Sequence, residues 1–329
     1  MSRIVRFHRT GGPEVLQIDE LDIGAPKGGE IRLRVRALGL NRAEAMFRSG
    51  AYLDMPRLPA KLGYEAAGEI AAIGEGVTGF AVGDAVSTIP AFSMNEYGVY
   101  GDAAIVPAYA VVKHPADLTW SEAAAIWMQY LTAYGALVEY GALAKGDAVI
   151  ITAASSSVGL AAIQIVNSLG GVPIATTRTN AKRDVLLRAG AKHVIATEEQ
   201  DLAAEVMRLT GGKGARIAFD PVCGPGVETL ANAMASGGTI FLYGALATAP
   251  TPFPLFQALA KNLTLRAYTL FSITSNSESL ERGKRFVVDG LAAGKFKPVI
   301  ARSFPLEEIV EAHRYLESNL QVGKIIVTI

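Results

Sequence analysis

Cysteine is nearly absent: among 329 residues there is one, Cys223, which rules out an internal disulfide framework and any metal site built from several thiolates. Histidine is scarce too, with four copies scattered as His8, His114, His193 and His313, so no clustered imidazole ligand set is expected. A surplus of either charge is missing, since Lys+Arg and Asp+Glu each number 31. Neither nucleic acid nor an anionic membrane is therefore an expected partner. No cationic leader with an apolar stretch opens the chain, and no long unbroken apolar span crosses it; a soluble, cytoplasmic protein is expected.

What is present suits a large core, with 50% hydrophobic and 19% charged residues, and the length suggests about two domains. The chain is organised around the stretch from Ala148 to Gly170. Ala148, Val149, Ile150 and Ile151 form a short apolar run, the signature of a strand buried on both faces of a parallel sheet. A turn of small residues follows, Thr152 to Ser157, and then Val158, Ala161, Ala162, Ile165, Val166 and Leu169 recur at helical spacing until Gly170 and Gly171 stop the helix. Such a turn lets a phosphate approach backbone N–H groups at a helix N-terminus. Of the dinucleotide fingerprint GxGxxG, only the last glycine survives, in Ala153-x-x-Ser156-x-x-Gly159. The same serines would also suit the cap of an ordinary helix.

Strand and helix patterns then alternate. Strands are expected at Val172 to Thr177, His193 to Ala196, Ile217 to Asp220, Thr239 to Tyr243 and Leu263 to Tyr268, with helices at Asn180 to Ala189, Asp201 to Leu209, Val227 to Met234 and Leu255 to Lys261. With the first run this makes about six strands, the complement of a doubly wound parallel sheet. Where an NAD site needs a carboxylate at the end of the second strand, this chain has Thr176, Thr177, Arg178 and Thr179, followed by Lys182 and Arg183. Cations without a carboxylate attract a 2′-phosphate, which points to NADP(H); a solvated basic helix start is the other reading.

The first third differs. Ile31, Leu33, Val35 and Ala37 alternate with three arginines, as in a strand with one wet face. Shorter strands at Ile4 to Phe7 and Val15 to Ile18, and glycines that repeatedly cut Gly63 to Val86, suit a small, sharply turned antiparallel barrel. Arg42 to Arg48 reads as a short helix followed by a loop, Ser49 to Pro59. Helical patterns resume from Ser121 and through Leu131 to Leu137, then at Ser277 to Val288 and Leu306 to Leu316; a closing strand, Gly323 to Ile329, is expected to return to the first domain.

The string Asn41-x-x-Glu44-x-x-x-Arg48-x-Gly50-x-Tyr52, then Leu62-Gly-Tyr-Glu-Ala-Ala-Gly68, Val82-Gly-Asp-Ala-Val86 and Leu131-Thr-Ala-Tyr134, resembles the medium-chain dehydrogenase/reductase superfamily. The resemblance spans essentially the whole chain and is nearest to the zinc-independent quinone oxidoreductases and their enoyl-reductase relatives. It implies an α/β protein with a GroES-like β-barrel catalytic domain and a Rossmann domain with a doubly wound parallel six-stranded sheet. The expected limits are 1–122 for the first part of the catalytic domain, 123–268 for the NADP(H)-binding domain and 269–329 for the return. It further implies an active site in the cleft and a homodimer. The superfamily's zinc ligands are replaced here by Asn41, Tyr64 and Met128, and the Thr88 to Tyr100 loop lacks the four cysteines of the structural zinc lobe, so no metal is expected.

For catalysis the resemblance singles out Asn41, Tyr52 and Tyr64; a helix tyrosine found in some relatives is replaced by Met46 or Phe47. For the cofactor it assigns Thr132 to the nicotinamide ribose, and Ser156, Ser157, Val158 and Gly159 to the pyrophosphate. Thr177, Arg178, Lys182 and Arg183 take the 2′-phosphate. Val222, Gly244, Ala245 and Phe271 fall at strand ends facing the dinucleotide, and Lys324 matches a family lysine in the closing strand. The expected activity is metal-free hydride transfer from NADPH to a small-molecule quinone. Reduction of an activated C=C bond in an enone or enoyl thioester is the alternative, and redox-silent NADPH binding is a second one.

Overall fold

The computed structural model describes residues 1–329. The chain divides into two compact units, residues 1–128 with 298–329, and residues 129–297. The expected limits at 122/123 and 268/269 are thus both displaced. The first boundary falls inside a helix, Trp127–Tyr134, and the second lies beyond the helix Ser277–Ala292, which belongs to the second unit. No helix is long and apolar enough to cross a membrane.

The first unit begins with β1 (Ser2–Phe7), β2 (Leu16–Leu21) and β3 (Glu30–Leu40). Next come α1 (Arg42–Ser49), β4 (Ala60–Lys61), β5 (Glu65–Ile73), β6 (Ala85–Thr88), β7 (Ala103–Pro107), β8 (Val111–Lys113) and α2 (Trp120–Ala123). β3 is its backbone. Ile31, Leu33, Val35 and Ala37 are buried while Arg32, Arg34 and Arg36 lie nearer solvent, the alternation of a half-wet strand. From Leu38 to Leu40 both faces are buried. α2 covers the second face, and Gly39 leaves room for it, because a Cβ there would lie 2.0 Å from the Ala124 carbonyl oxygen.

After α3 (Trp127–Tyr134), the second unit is a parallel sheet of β9 (Ala148–Ile151), β10 (Val172–Thr177), β11 (His193–Ala196), β12 (Ala215–Asp220), β13 (Met234–Leu242) and β14 (Thr264–Ala267). Their spatial order is β11-β10-β9-β12-β13-β14, the Rossmann order, with β9 at the point where the winding reverses. Ile150, Ile174, Ile195, Ala218 and Ile240 pack with Val206 and Leu230 in one apolar core, so the continuous apolar strand runs reflect burial on both faces. The connecting helices include α4 (Ser157–Ser168), α5 (Arg183–Arg188), α6 (Leu202–Leu209), α7 (Gly226–Ala233) and α8 (Leu255–Lys261). The Asn180 to Ala189 pattern resolves into a 3-10 turn, Asn180–Lys182, and then α5.

The chain ends with β15 (Ile300–Pro305), the helix Ile309–Ser318 and β16 (Lys324–Thr328). β16 pairs antiparallel with β3 and parallel with β15, so the tail from residue 298 belongs to the first unit. The seven-stranded sheet, ordered β15-β16-β3-β5-β6-β8 with β7 also on β3, is therefore antiparallel except for this one pair. β1, β2 and β4 form a separate three-stranded sheet.

Candidate functional site

In the second unit the assigned residues gather at the C-terminal ends of the strands around β9. Ser156 caps α4, its Oγ accepting from Gly159 N–H at 3.0 Å. The first N–H groups of a helix have no partner within it, and here these belong to Ser157 and Val158. Gly159 has a packing reason as well: a Cβ would lie 2.6 Å from Ala154 Cα. The strand ends are tied together by Asp220, a buried carboxylate that accepts from Thr152 Oγ1, from Val222 N–H at 3.0 Å and from Cys223 N–H at 2.9 Å. Cys223 in turn directs its thiol at the Gly244 carbonyl, 3.0 Å away; burial pushes this thiol up to about 11.

Beside the turn, Lys182 donates to Ser155 Oγ at 3.1 Å. Burial, and then repulsion from Arg178, lower its affinity for a proton. A half-buried lysine whose charge is made costlier by burial and by a neighbouring arginine is suited to a dianionic phosphate. Arg183 is turned elsewhere, donating to the Val194 carbonyl at 2.9 Å and to Asn180 Oδ1. Thr177 ends β10, Thr132 is buried in the Trp127–Tyr134 helix, Ala245 is exposed after β13 and Phe271 starts a short helix.

Asn41, Tyr52, Tyr64 and Lys324 lie in the first unit. Lys324, matched to a family lysine and expected at the cofactor, is buried. β16 is interior, between β15 and β3, and the Lys324 ammonium donates to Glu65 Oε2 and, at 2.6 Å, to Asn41 Oδ1. Asn41 Nδ2 faces Glu65 Oε2 at 3.2 Å, Glu44 Oε1 at 3.1 Å and the Gly39 carbonyl at 3.1 Å. The Asn41 amide is thus engaged wholly within the protein. Glu65 Oε1 also accepts from Met128 N–H at 2.9 Å.

Glu44 is the residue that sequence reasoning passed over. Its carboxyl receives Asn41 N–H, Asn41 Nδ2, Tyr64 N–H at 3.1 Å and Tyr100 Oη at 2.8 Å, and burial raises its pKa to about 7. The signal was available: Asn41-x-x-Glu44 before a helix is the spacing of a capping box.

Tyr64 is buried, with its ring against Phe92 at 5.8 Å between centroids. The Tyr64 and Tyr52 hydroxyls are hydrogen-bonded, and burial raises both phenols above their ordinary pKa. Both are protonated at neutral pH, and in the bond between them one hydroxyl donates and the other accepts.

Residues 27–116 match the alcohol dehydrogenase GroES-like domain family and residues 157–286 the zinc-binding dehydrogenase family. The chain is 31% identical to the human quinone oxidoreductase over 328 residues, covering 99% of this chain and 97% of that one. It is 28% identical to a 2-haloacrylate reductase from a Burkholderia species, over 97% of each. The Escherichia coli quinone oxidoreductase, solved in complex with NADPH, superposes with a TM-score of 0.91 at 30% identity, covering 100% of both chains. Near full-length matches of this kind, on a β-rich first unit and a Rossmann second unit, mean that the chain belongs to the medium-chain dehydrogenase/reductase superfamily, in its quinone oxidoreductase-like branch.

Proposed function

We propose that this protein is an NADPH-dependent oxidoreductase that reduces a quinone without a metal. The observation that carries the reading is the way Asn41, Glu65 and Lys324 satisfy one another. Zinc needs about three N, S or carboxylate ligands, and here the two carboxylates, Glu65 and Glu44, are already engaged by a buried ammonium and an amide. Nowhere do three or more His, Cys, Asp or Glu side chains group as ligands. The residues therefore do not suit the metal after which one matched family is named. A quinone, being electrophilic on its own, requires no such Lewis acid.

The residues around β9 do suit NADPH. When bound, it supplies the hydride. The N–H groups of Ser157 and Val158, with the Ser156 hydroxyl and the close packing at Gly159, would hold the pyrophosphate at the α4 N-terminus. Arg178 and Lys182, with Thr177, would take the 2′-phosphate. Arg183 would act by fixing α5 against β11. Thr132, Val222, Gly244, Ala245 and Phe271 would line the nicotinamide half. On the acceptor side, Tyr64 and Tyr52 would hold a proton in a short phenol chain, with Asn41 and Lys324 as positioning residues behind them.

The phenol pair also favours a second reading, reduction of an activated C=C bond, since a donor at the carbonyl stabilises the charge that hydride delivery to the β-carbon creates. Product analysis separates the two. Hydroquinone from a simple quinone, with a conjugated enone returned unsaturated, is the expected result; a saturated enone and an untouched quinone would transfer the assignment to the second reading.

A homodimer is part of the proposal. β14 ends its sheet with an unpaired edge. Nearby, Phe253, Leu255, Phe256 and Leu259 are 63%, 50%, 81% and 70% exposed, an apolar cluster of the kind a second copy covers. A monomer mass by sedimentation equilibrium would remove it. A reducing, cytoplasmic setting fits a chain whose single cysteine is a buried thiol.

A further inference from the structure

Tyr64 and Tyr52 are held very differently. Tyr64 is fixed on both sides by main-chain bonds, its N–H to Glu44 and its carbonyl to Thr88 Oγ1 at 2.8 Å. Tyr52 stands in residues 51–59, which form neither helix nor strand and in which Leu53, Asp54, Met55 and Arg57 are exposed. Such a segment has no core of its own to define where the Tyr52 hydroxyl points.

Its definition comes from residues 92–95. Phe92 and Met94 are buried. Phe92 packs on the Tyr64 ring, and Met94 Sδ accepts from Gly63 N–H at 3.4 Å. The alternate residues face the other way. Ser93 Oγ donates to Asp54 Oδ2 at 3.1 Å, Asn95 Nδ2 donates to the Met55 carbonyl at 2.9 Å, and Asn95 Oδ1 accepts from Arg57 N–H at 2.8 Å. Asn95 N–H also donates to Ser93 Oγ at 3.2 Å, which couples the two. One short segment thus grips the backbone next to Tyr64 with one set of side chains and the Tyr52 loop with the other.

We propose that Ser93 and Asn95 are positioning residues that clamp the 51–59 loop so that the Tyr52 hydroxyl meets that of Tyr64 on the acceptor side. The inference rests on the acceptor role given to the two tyrosines above. Asn95 touches no reacting atom; it acts through the loop backbone.

The test is a double-mutant cycle read in steady-state kinetics with a quinone and NADPH. Asn95→Ala removes two loop bonds and is expected to raise KM for the quinone about fivefold to tenfold, leaving KM for NADPH unchanged and kcat within about twofold. Asn95→Asp, which keeps the acceptor for Arg57 N–H, recovers part of the loss, and Ser93→Ala gives a smaller rise in the same constant. Combined with Tyr52→Phe, Asn95→Ala adds nothing further, because both act through one hydroxyl. Additive effects, or a silent Asn95→Ala beside an impaired Tyr52→Phe, would overturn the clamp and leave the tyrosine assignment standing. A silent Tyr52→Phe would overturn that assignment and the clamp with it.

Discussion

The Lys324 side chain is buried, and its Nζ is met by the Glu65 carboxylate and the Asn41 carbonyl oxygen. A buried pair of this kind contributes little over an apolar pair of the same shape, but removing one member strands the other. Lys324→Met is therefore expected to lower stability by about 3–5 kcal/mol, and Glu65→Leu in the same protein to restore much of it. Urea unfolding of the two variants checks this, and equal stability of the single and double variants would contradict it. In sequence this lysine was legible as a family lysine in the closing strand, but not as the partner of a buried carboxylate. Which neighbour a strand pairs with decides whether its lysine meets solvent or a carboxylate, and that pairing spans nearly the whole chain, from β16 to β3. Asn41-x-x-Glu44 was more legible, because a helix cap is written within four residues. Tyr100, 56 residues from the carboxyl it serves, leaves no local trace.

Among elements, α1 and the Ile309–Ser318 helix are joined by Arg48, which is buried and donates to His313 Nδ1 at 2.8 Å and Glu317 Oε1 at 2.6 Å. Burial, followed by repulsion from Arg48 and Arg42, depresses His313 to about 3. The unfolded chain then takes up a proton that the folded one refuses, so stability falls as pH drops from about 6.5 toward 3. Glu44 on α1 acts in the opposite sense. Raised to about 7 by burial, it binds a proton more readily when folded, and stability rises as pH drops from 7 toward about 4.5. The two oppose each other between about 6.5 and 4.5, and below that His313 alone remains. Urea midpoints against pH should therefore fall most steeply below about 4.5, and His313→Gln should flatten that fall while keeping an acceptor for Arg48. An unchanged acid limb in His313→Gln would refute the assignment. Elements of this kind were the best-read part of the sequence. The six strands of the second unit sit where their apolar runs placed them, since burial on both faces imposes such runs. The parallel β15–β16 pair was not foreseen, because alternation records a wet face and not the direction of a neighbour.

For the molecule as a whole, the proposed function gives the two units two separate tasks. The Rossmann unit would offer helix N–H groups and cations to a dinucleotide, and the first unit holds a phenol pair backed by a closed polar network. The chain's scarcity of cysteine and lack of clustered histidine favour the second of these proposed tasks, since a site without soft ligands must stabilise its acceptor by hydrogen bonds or take one that needs no help. The most direct measurement is quinone-dependent oxidation of NADPH by chelator-treated protein, with NADH alongside, repeated on Arg178→Ala/Lys182→Ala. The account predicts turnover unaffected by the chelator, a clear preference for NADPH, and a loss of roughly tenfold to a hundredfold in NADPH affinity in the double variant while NADH is little changed. Turnover abolished by the chelator, or NADPH and NADH weakened equally in the variant, would contradict it.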